Sequence, residues 1–343
     1  MSTSNCDAAR ESRDKLLALI TASWSTQALA AAVQLGVAER LHVEAQSCEE
    51  LARACSCPST PLRRLLRALV TLEVAIETVP GCYAAGPLAA HLRRDSEDSL
   101  APWAEYAATA SWSSWGRLTD CVRTGSTARE LEGGRAGLSH LDVDPASADL
   151  FNRAMAALSA VVARRLAIEL PIGESHTVVD IAGGGGQVLL ALLQQHAHLQ
   201  GVVFDRPHAR ALATAAIARA ALAMRCRFLA GDFFHSIPAG ANLYLLKSVL
   251  HDWDDAHALA ILRRCREAMG PGARLALVER LMPVRILPSA AHRALARSDL
   301  NMLVGPGGQE RSLAEYADLL SQAQLQATEP MELVEGYALV IAS

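Results

Sequence analysis

The segment VVDIAGGGGQ, residues 178–187, sets four consecutive glycines directly after an apolar run that carries one acid. Its flanks read as a buried strand, TVVDIA, and an apolar helix, QVLLALLQQH, so the glycines lie at a strand-to-helix crossing. Glycine there lets the chain turn sharply and lets another group approach the backbone closely. Five more short apolar runs follow, each separated from the next by helical pattern: GVVFD, RFLAGD, NLYLLKS, ARLALVERL and YALVIA. That alternation predicts an α/β domain, a Rossmann-like doubly wound sheet, mostly parallel, with helices on both faces. In such sheets ligands bind at the carboxyl ends of the strands.

Which ligand the crossing suits can be narrowed. A G-x-G-x-x-G fingerprint started at Gly183 meets Val188, and started at Gly184 it meets Leu189, so neither register gives a dinucleotide signature. No Lys-Ser/Thr pair follows to make a phosphate loop. The second strand ends at Asp205, where a carboxylate can accept both hydroxyls of a ribose. The third leads to Asp232 and Phe233, an acceptor for an adenine amino group and a ring to pack on the base. An adenosine pocket without a diphosphate cradle suits S-adenosylmethionine better than NAD.

The front of the chain has a different pattern. Residues 13–41 read as helix, Ser47 and Glu50 as a capping box, and Pro61 to about Leu72 as a second helix. VAIETVPGCYAA then alternates like a hairpin turning at Pro80–Gly81, which completes a winged-helix pattern. Arg63, Arg64 and Arg67 give one basic helix face, but no basic arm or wing adds to it, and the formal net charge is −4. Packing or dimerisation is therefore expected of this part rather than nucleic-acid binding. Polar interruptions between Leu16 and Val37 argue against a membrane span, and the scattered cysteines argue for a reduced, cytoplasmic protein. Residues 100–170 read as further helices around a Gly- and Asp-rich loop.

LKSVLHDWDDAHALAILRRC follows the fourth strand. Asp252 or Asp254 can cap the next helix, which leaves His251 at the ligand-binding edge unexplained by capping. His251 and Asp255 stand at i, i+4, a spacing open to a metal, although carboxylates at a helix N-terminus are stabilised without one. Glu279 ends an apolar strand and Glu310 lies in the glycine-rich GPGGQERS. One histidine and two acids converging on one edge form the layout of a base with orienting groups.

These segments together resemble the S-adenosylmethionine-dependent O-methyltransferases of small molecules, the type of plant phenylpropanoid and bacterial antibiotic pathways. The resemblance rests on the ordered set VVDIAGGGGQ, VVFDRP, GDFF, LKSVLHDWDD, LVER and GGQERSLAEYADLL behind a winged-helix front. It implies a dimerisation domain over residues 1–100, a helical linker lining the acceptor pocket over 101–170, and a cofactor-binding catalytic domain over 171–343. It implies His251 as general base, held by Glu279 and Glu310, and no metal. Ala182, Gly183, Gly184, Asp205, Asp232, Phe233 and Lys247 would meet the cofactor. Phe151, Met155, Asp252 and Met302 would meet a hydroxylated aromatic such as a polyketide or phenazine, in a homodimer. Ala182 stands where the family has glycine, and a negative φ there would accommodate its methyl. Two other readings remain open: a ligand-sensing winged-helix regulator of DNA, and a relative with non-methylating chemistry.

Overall fold

The computed structural model describes residues 3–334 and 336–343 and divides into two compact units, Met1–Thr109 and Ala110–Ser343.

In the first unit α1 (Thr3–Gln34) and α2 (Val37–Val43) occupy the span expected to be one helix. The break falls at Gly36, whose left-handed φ of 64° ends the first helix. After β1 (Gln46–Ser47), α3 (Cys48–Ala54) opens on the Ser47/Glu50 capping box. The next helix, α4 (Ser59–Thr71), begins two residues before Pro61 and buries Leu62, Leu66 and Leu69 on one face. Each such leucine contributes about 1.5–3 kcal/mol on burial. The hairpin of β2 (Ala75–Val79) and β3 (Cys82–Ala85) turns through Gly81, and β1 adds to β3 to give the order β1-β3-β2. Helix α5 (Ala101–Ala108) closes the unit. Along α1, Leu16, Leu17, Leu19, Ile20 and Trp24 are exposed. Residues 9–34 are long and apolar enough, by length and composition alone, to cross a membrane.

The second unit opens with α6 (Ala110–Trp115), α7 (Leu118–Thr124), α8 (Ala128–Leu131) and the long α9 (Pro145–Glu169). Asp144 caps α9 by accepting the backbone N–H groups of Ala146 and Ser147. Then come β4 (Thr177–Ile181), α10 (Gln187–Gln195), β5 (Gln200–Asp205), α11 (Arg210–Arg219), β6 (Cys226–Ala230), β7 (Leu243–Lys247), α12 (Asp255–Ala268) and β8 (Arg274–Arg280). Helices α13 (Ala290–Val304) and α14 (Leu313–Gln322) precede β9 (Met331–Glu332) and β10 (Tyr337–Ala342). Among the described residues the sheet runs β6-β5-β4-β7-β8-β10-β9, parallel from β6 to β8, with β10 antiparallel to both its neighbours. All six strands expected after residue 176 are present.

Each sheet face has its own apolar layer. Val179, Ile181, Leu246, Leu275 and Leu277 pack toward α12 and α14, while Val178, Val203, Leu245 and Val278 pack toward α9 and α10. Strand order reverses between β4 and β7, and beyond their carboxyl ends, where sheets of this kind form their ligand crevice, residues 182–186 follow β4 and residues 248–253 follow β7.

Candidate active site

The glycine turn is shaped by two constraints. A side chain on Gly183 would sit 2.7 Å from the Asp180 carboxyl, which lies buried behind the turn. Gly184 has φ 55° and faces open space, which leaves its peptide approachable from the crevice. Ala182 departs from expectation. Its φ is 55°, not negative, so the methyl is accommodated at the cost of a left-handed alanine. Its N–H donates to Phe204 O at 2.7 Å, and its Cβ packs against the core beneath.

Asp205 stands at the end of β5 and is oriented by backbone. Oδ2 accepts from Gly184 N at 2.7 Å and Oδ1 from Arg206 N at 2.6 Å. Burial raises its pKa, against those bonds. Asp180 is also pushed up, to about 7, by burial and then by the charge of Asp205, and its Oδ2 has no protein partner. Asp232 Oδ1 accepts from Phe234 N at 2.9 Å, and its Oδ2 takes the Arg206 guanidinium, which also reaches Asp142. Phe233 packs edge-on against Phe234 and Trp253. Lys247 Nζ donates to Ser159 Oγ at 3.0 Å and lies 5.0 Å from the centre of the Tyr337 ring, with Arg280 at 4.8 Å.

Beyond β7 the chain turns through residues 248–253 and presents His251. Its Nδ1 lies 3.1 Å from Glu310 Oε1, a hydrogen bond, and 3.9 Å from Glu279 Oε2, an ion-pair distance only. Its Nε2 lies 3.6 Å from Asp252 Oδ1. With Nδ1–H donated to Glu310, the lone pair of a neutral ring is on Nε2. Glu279 does more for the backbone than for the ring: its Oε1 accepts both Val249 N and Leu250 N at 2.9 Å. Glu310 is held in turn by Ser298 Oγ at 2.6 Å, and its own N–H donates to Asp299 Oδ1 at 2.9 Å.

Burial opposes a charge on His251, but Glu279, then Asp252 and Glu310, outweigh it and raise the imidazole to about 10. Glu279 is itself pushed up to about 7, chiefly by burial, and Asp252 to about 6 for the same reason. Burial also acts to raise Glu310, yet the hydrogen bond and charge of His251 carry it below the usual range. The surrounding carboxylates therefore make the neutral imidazole a stronger base than a free one.

Asp254, not Asp252, caps α12, accepting His257 N at 2.9 Å. Asp255 turns away from His251 to accept from Arg311 Nε at 2.9 Å, so the i, i+4 spacing makes no metal pair. Among the described residues no group of three or more His, Cys, Asp or Glu is placed to hold a metal ion. Phe151, Met155 and Ser159 follow one another at i, i+4 along α9, both Phe151 and Met155 half-buried, and Met302 is buried on α13. Sequence reasoning missed Ser298 and Asp299, which meet Glu310 from 12 and 11 positions away, and Arg206 and Arg311, which stand inside motifs but whose partners lie 26 to 64 positions away.

Residues 115–326 match the O-methyltransferase domain family and residues 17–95 the O-methyltransferase dimerisation domain family. The chain belongs to the O-methyltransferase family. A phenazine O-methyltransferase of Lysobacter antibioticus is 34% identical over 327 residues, 95% of each chain. The solved structure of a mitomycin 7-O-methyltransferase superposes with TM-score 0.87 at 34% identity, covering 99% of both chains. An O-methyltransferase from neocarzinostatin biosynthesis, solved with S-adenosyl-L-homocysteine and 1,4-dihydroxy-2-naphthoic acid, gives TM-score 0.75 at 31% identity over 93% of this chain and 95% of that one. For this O-methyltransferase the fold is therefore that of its family, a mainly helical first unit followed in the chain by a unit with a mixed seven-stranded sheet.

Proposed function

We propose that this O-methyltransferase moves a methyl group from S-adenosylmethionine to a hydroxyl of a small aromatic secondary metabolite, with His251 as the proton acceptor. The observation that carries the reading is the His251–Glu310 hydrogen bond at 3.1 Å, which leaves Nε2 as the basic atom. The crevice fits the cofactor on its own residues. Gly184 offers a backbone free of any side chain, Asp205 is oriented by two peptide N–H groups, and the buried Asp180 keeps an oxygen without a protein partner. S-adenosylmethionine supplies an activated methyl group on a sulfonium. Asp205 would accept from the ribose, Asp232 from the adenine amino group, Phe233 would pack beside the base, and Lys247 would lie near the methionine part.

His251 takes the acceptor's proton at Nε2, while Glu310 fixes the tautomer and the charges of Glu279 and Asp252 stabilise the imidazolium. A free phenol has a pKa of about 10. The acids around His251 raise its pKa toward that of the phenol, which eases the transfer. A positioned general base typically contributes roughly 10²–10⁴-fold, and here it acts from the fraction of enzyme in which the imidazole is neutral. Phe151, Met155 and Met302 would line the acceptor, with Asp252 at its polar end.

The front unit, matching a dimerisation domain, points to a homodimer in which a second copy covers the apolar stripe of α1, in place of lipid or nucleic acid. The deciding experiment incubates the purified protein with S-adenosylmethionine and a panel of hydroxylated aromatics, reading the gain of one methyl by mass spectrometry. His251→Ala is expected to lower kcat by roughly 10²–10⁴-fold while leaving S-adenosylhomocysteine affinity near wild type. Near-normal turnover by that variant on a weakly acidic phenol would remove the base assignment.

A further inference from the structure

Loop 249–253, which carries His251, is gripped from two sides. Below it, Glu279 takes the N–H groups of Val249 and Leu250. Above it, the segment 308–311 takes the carbonyls. Gln309 N donates to His251 O at 2.9 Å, and Arg311 donates to Leu250 O at 2.8 Å and to Trp253 O at 2.7 Å. Gly308 lies so close that an added Cβ would stand 2.0 Å from His251 O. Arg311 is fully buried and balanced by Asp255, whose carboxylate accepts from Nε at 2.9 Å while its side chain stays 68% exposed. Burying a guanidinium at this depth is expensive; its hydrogen bonds go to the carbonyls of Leu250 and Trp253, before and after the histidine, and to the first residue of α12, with the Tyr316 ring beside it.

We propose that Arg311 is the positioning residue for His251: by holding the carbonyls on either side of it, Arg311 keeps the imidazole in register with Glu310, its own chain neighbour. The inference rests on the reading of His251 as proton acceptor. Arg311 touches neither the ring nor any reacting atom. Its effect reaches the ring through the loop backbone, and the partner carboxylate moves with the same segment. The groups that face the imidazole are Glu279 from β8, Glu310 beside Arg311, and Asp252 on its own loop. Lys247 acts on Asp252, Arg280 on Glu310, and the Tyr337 phenol senses the histidine. Loosening the Glu310 contact removes one support of the imidazolium and lowers the pH at which the ring becomes neutral.

The test compares Arg311→Lys, Arg311→Met, Asp255→Asn and His251→Ala in the full-length protein. Calorimetric titration with S-adenosylhomocysteine counts intact cofactor sites, and kcat and kcat/KM are measured against pH per intact site. Misplacement by an ångström costs about 10²-fold, so Arg311→Met is expected to lose about that in kcat per site. The KM for S-adenosylmethionine should stay within about threefold, since the residue binds no substrate. Arg311→Lys should recover part of kcat, and both variants should move the rising limb of the pH profile to lower pH. Should Arg311→Met fail to fold, Asp255→Asn carries the test, with a smaller shift of the same sign. Wild-type kcat per site and an unmoved limb in Arg311→Lys and Asp255→Asn, or losses wholly explained by missing cofactor sites, would overturn the inference. A His251→Ala enzyme that keeps its turnover removes the underlying reading instead. A dead His251→Ala enzyme beside an unmoved Arg311→Lys profile removes this inference alone.

Discussion

At the residue scale, the charges around His251 decide how the protein responds to pH. A base acts in its neutral form, and this imidazole is raised to about 10, so kcat/KM for a phenol is expected to climb from neutral pH and level off near 10. Glu279 is the strongest of the charges raising it. Glu279→Gln keeps an oxygen for the Val249 and Leu250 N–H groups and loses the charge, so the rising limb should move toward lower pH. A limb that stays in place would mean that the titrating group is the acceptor rather than the ring. Ala182 offers a separate test. A left-handed alanine costs about 1–2 kcal/mol relative to glycine. Its methyl also packs on the core, which offsets part of that. Ala182→Gly is therefore expected to raise the melting temperature by about 2–4 °C, read by calorimetry. Ala182 also marks a limit of sequence reading: the residue was visible, but its left-handed φ and its hydrogen bond to Phe204 on the neighbouring strand were not.

At the scale of elements, the strands and their crossings were legible because each is a local statement. TVVDI, QGVVFD and LYLLK are short apolar runs that a parallel sheet buries on both faces. Their ends could be named from the sequence alone, and with them Asp205, His251 and Glu279. The break between α1 and α2 was legible too, in Gly36, but an unbroken helix was read through it because apolar spacing continues on both sides. Contacts that join elements remote in the chain were not legible. Arg311 meets carbonyls 58 and 61 positions earlier, and Arg206 joins Asp142 to Asp232. Both arginines stand inside motifs, VVFDRP and GGQERS, but nothing in a one-dimensional pattern names the remote groups they hold. Arg206→Ala should free both carboxylates. If Asp232 meets the adenine, S-adenosylhomocysteine affinity should change by several-fold in calorimetry, and an unchanged value would place the nucleoside away from this pair.

At the scale of the whole molecule, the exposed stripe on α1 sets an expectation about assembly. Leu16, Ile20 and Trp24 recur at i, i+4 and lie 58%, 65% and 73% exposed, more apolar surface than a monomer usually leaves open on one helix. Ile20→Glu combined with Trp24→Glu should convert a dimer to a monomer in light scattering behind size exclusion. Wild-type protein that instead floats with lipid vesicles would assign the stripe to a membrane.

Ser298, which donates to Glu310, and Met302, which would face the acceptor, stand four residues apart on the same helix, α13. Anyone reshaping this enzyme to take a bulkier aromatic would find α13 a poor place to cut, because room made there slackens the proton relay. Phe151 and Met155, proposed to line the acceptor from α9, stand on a different helix from Ser298 and are the better positions to vary.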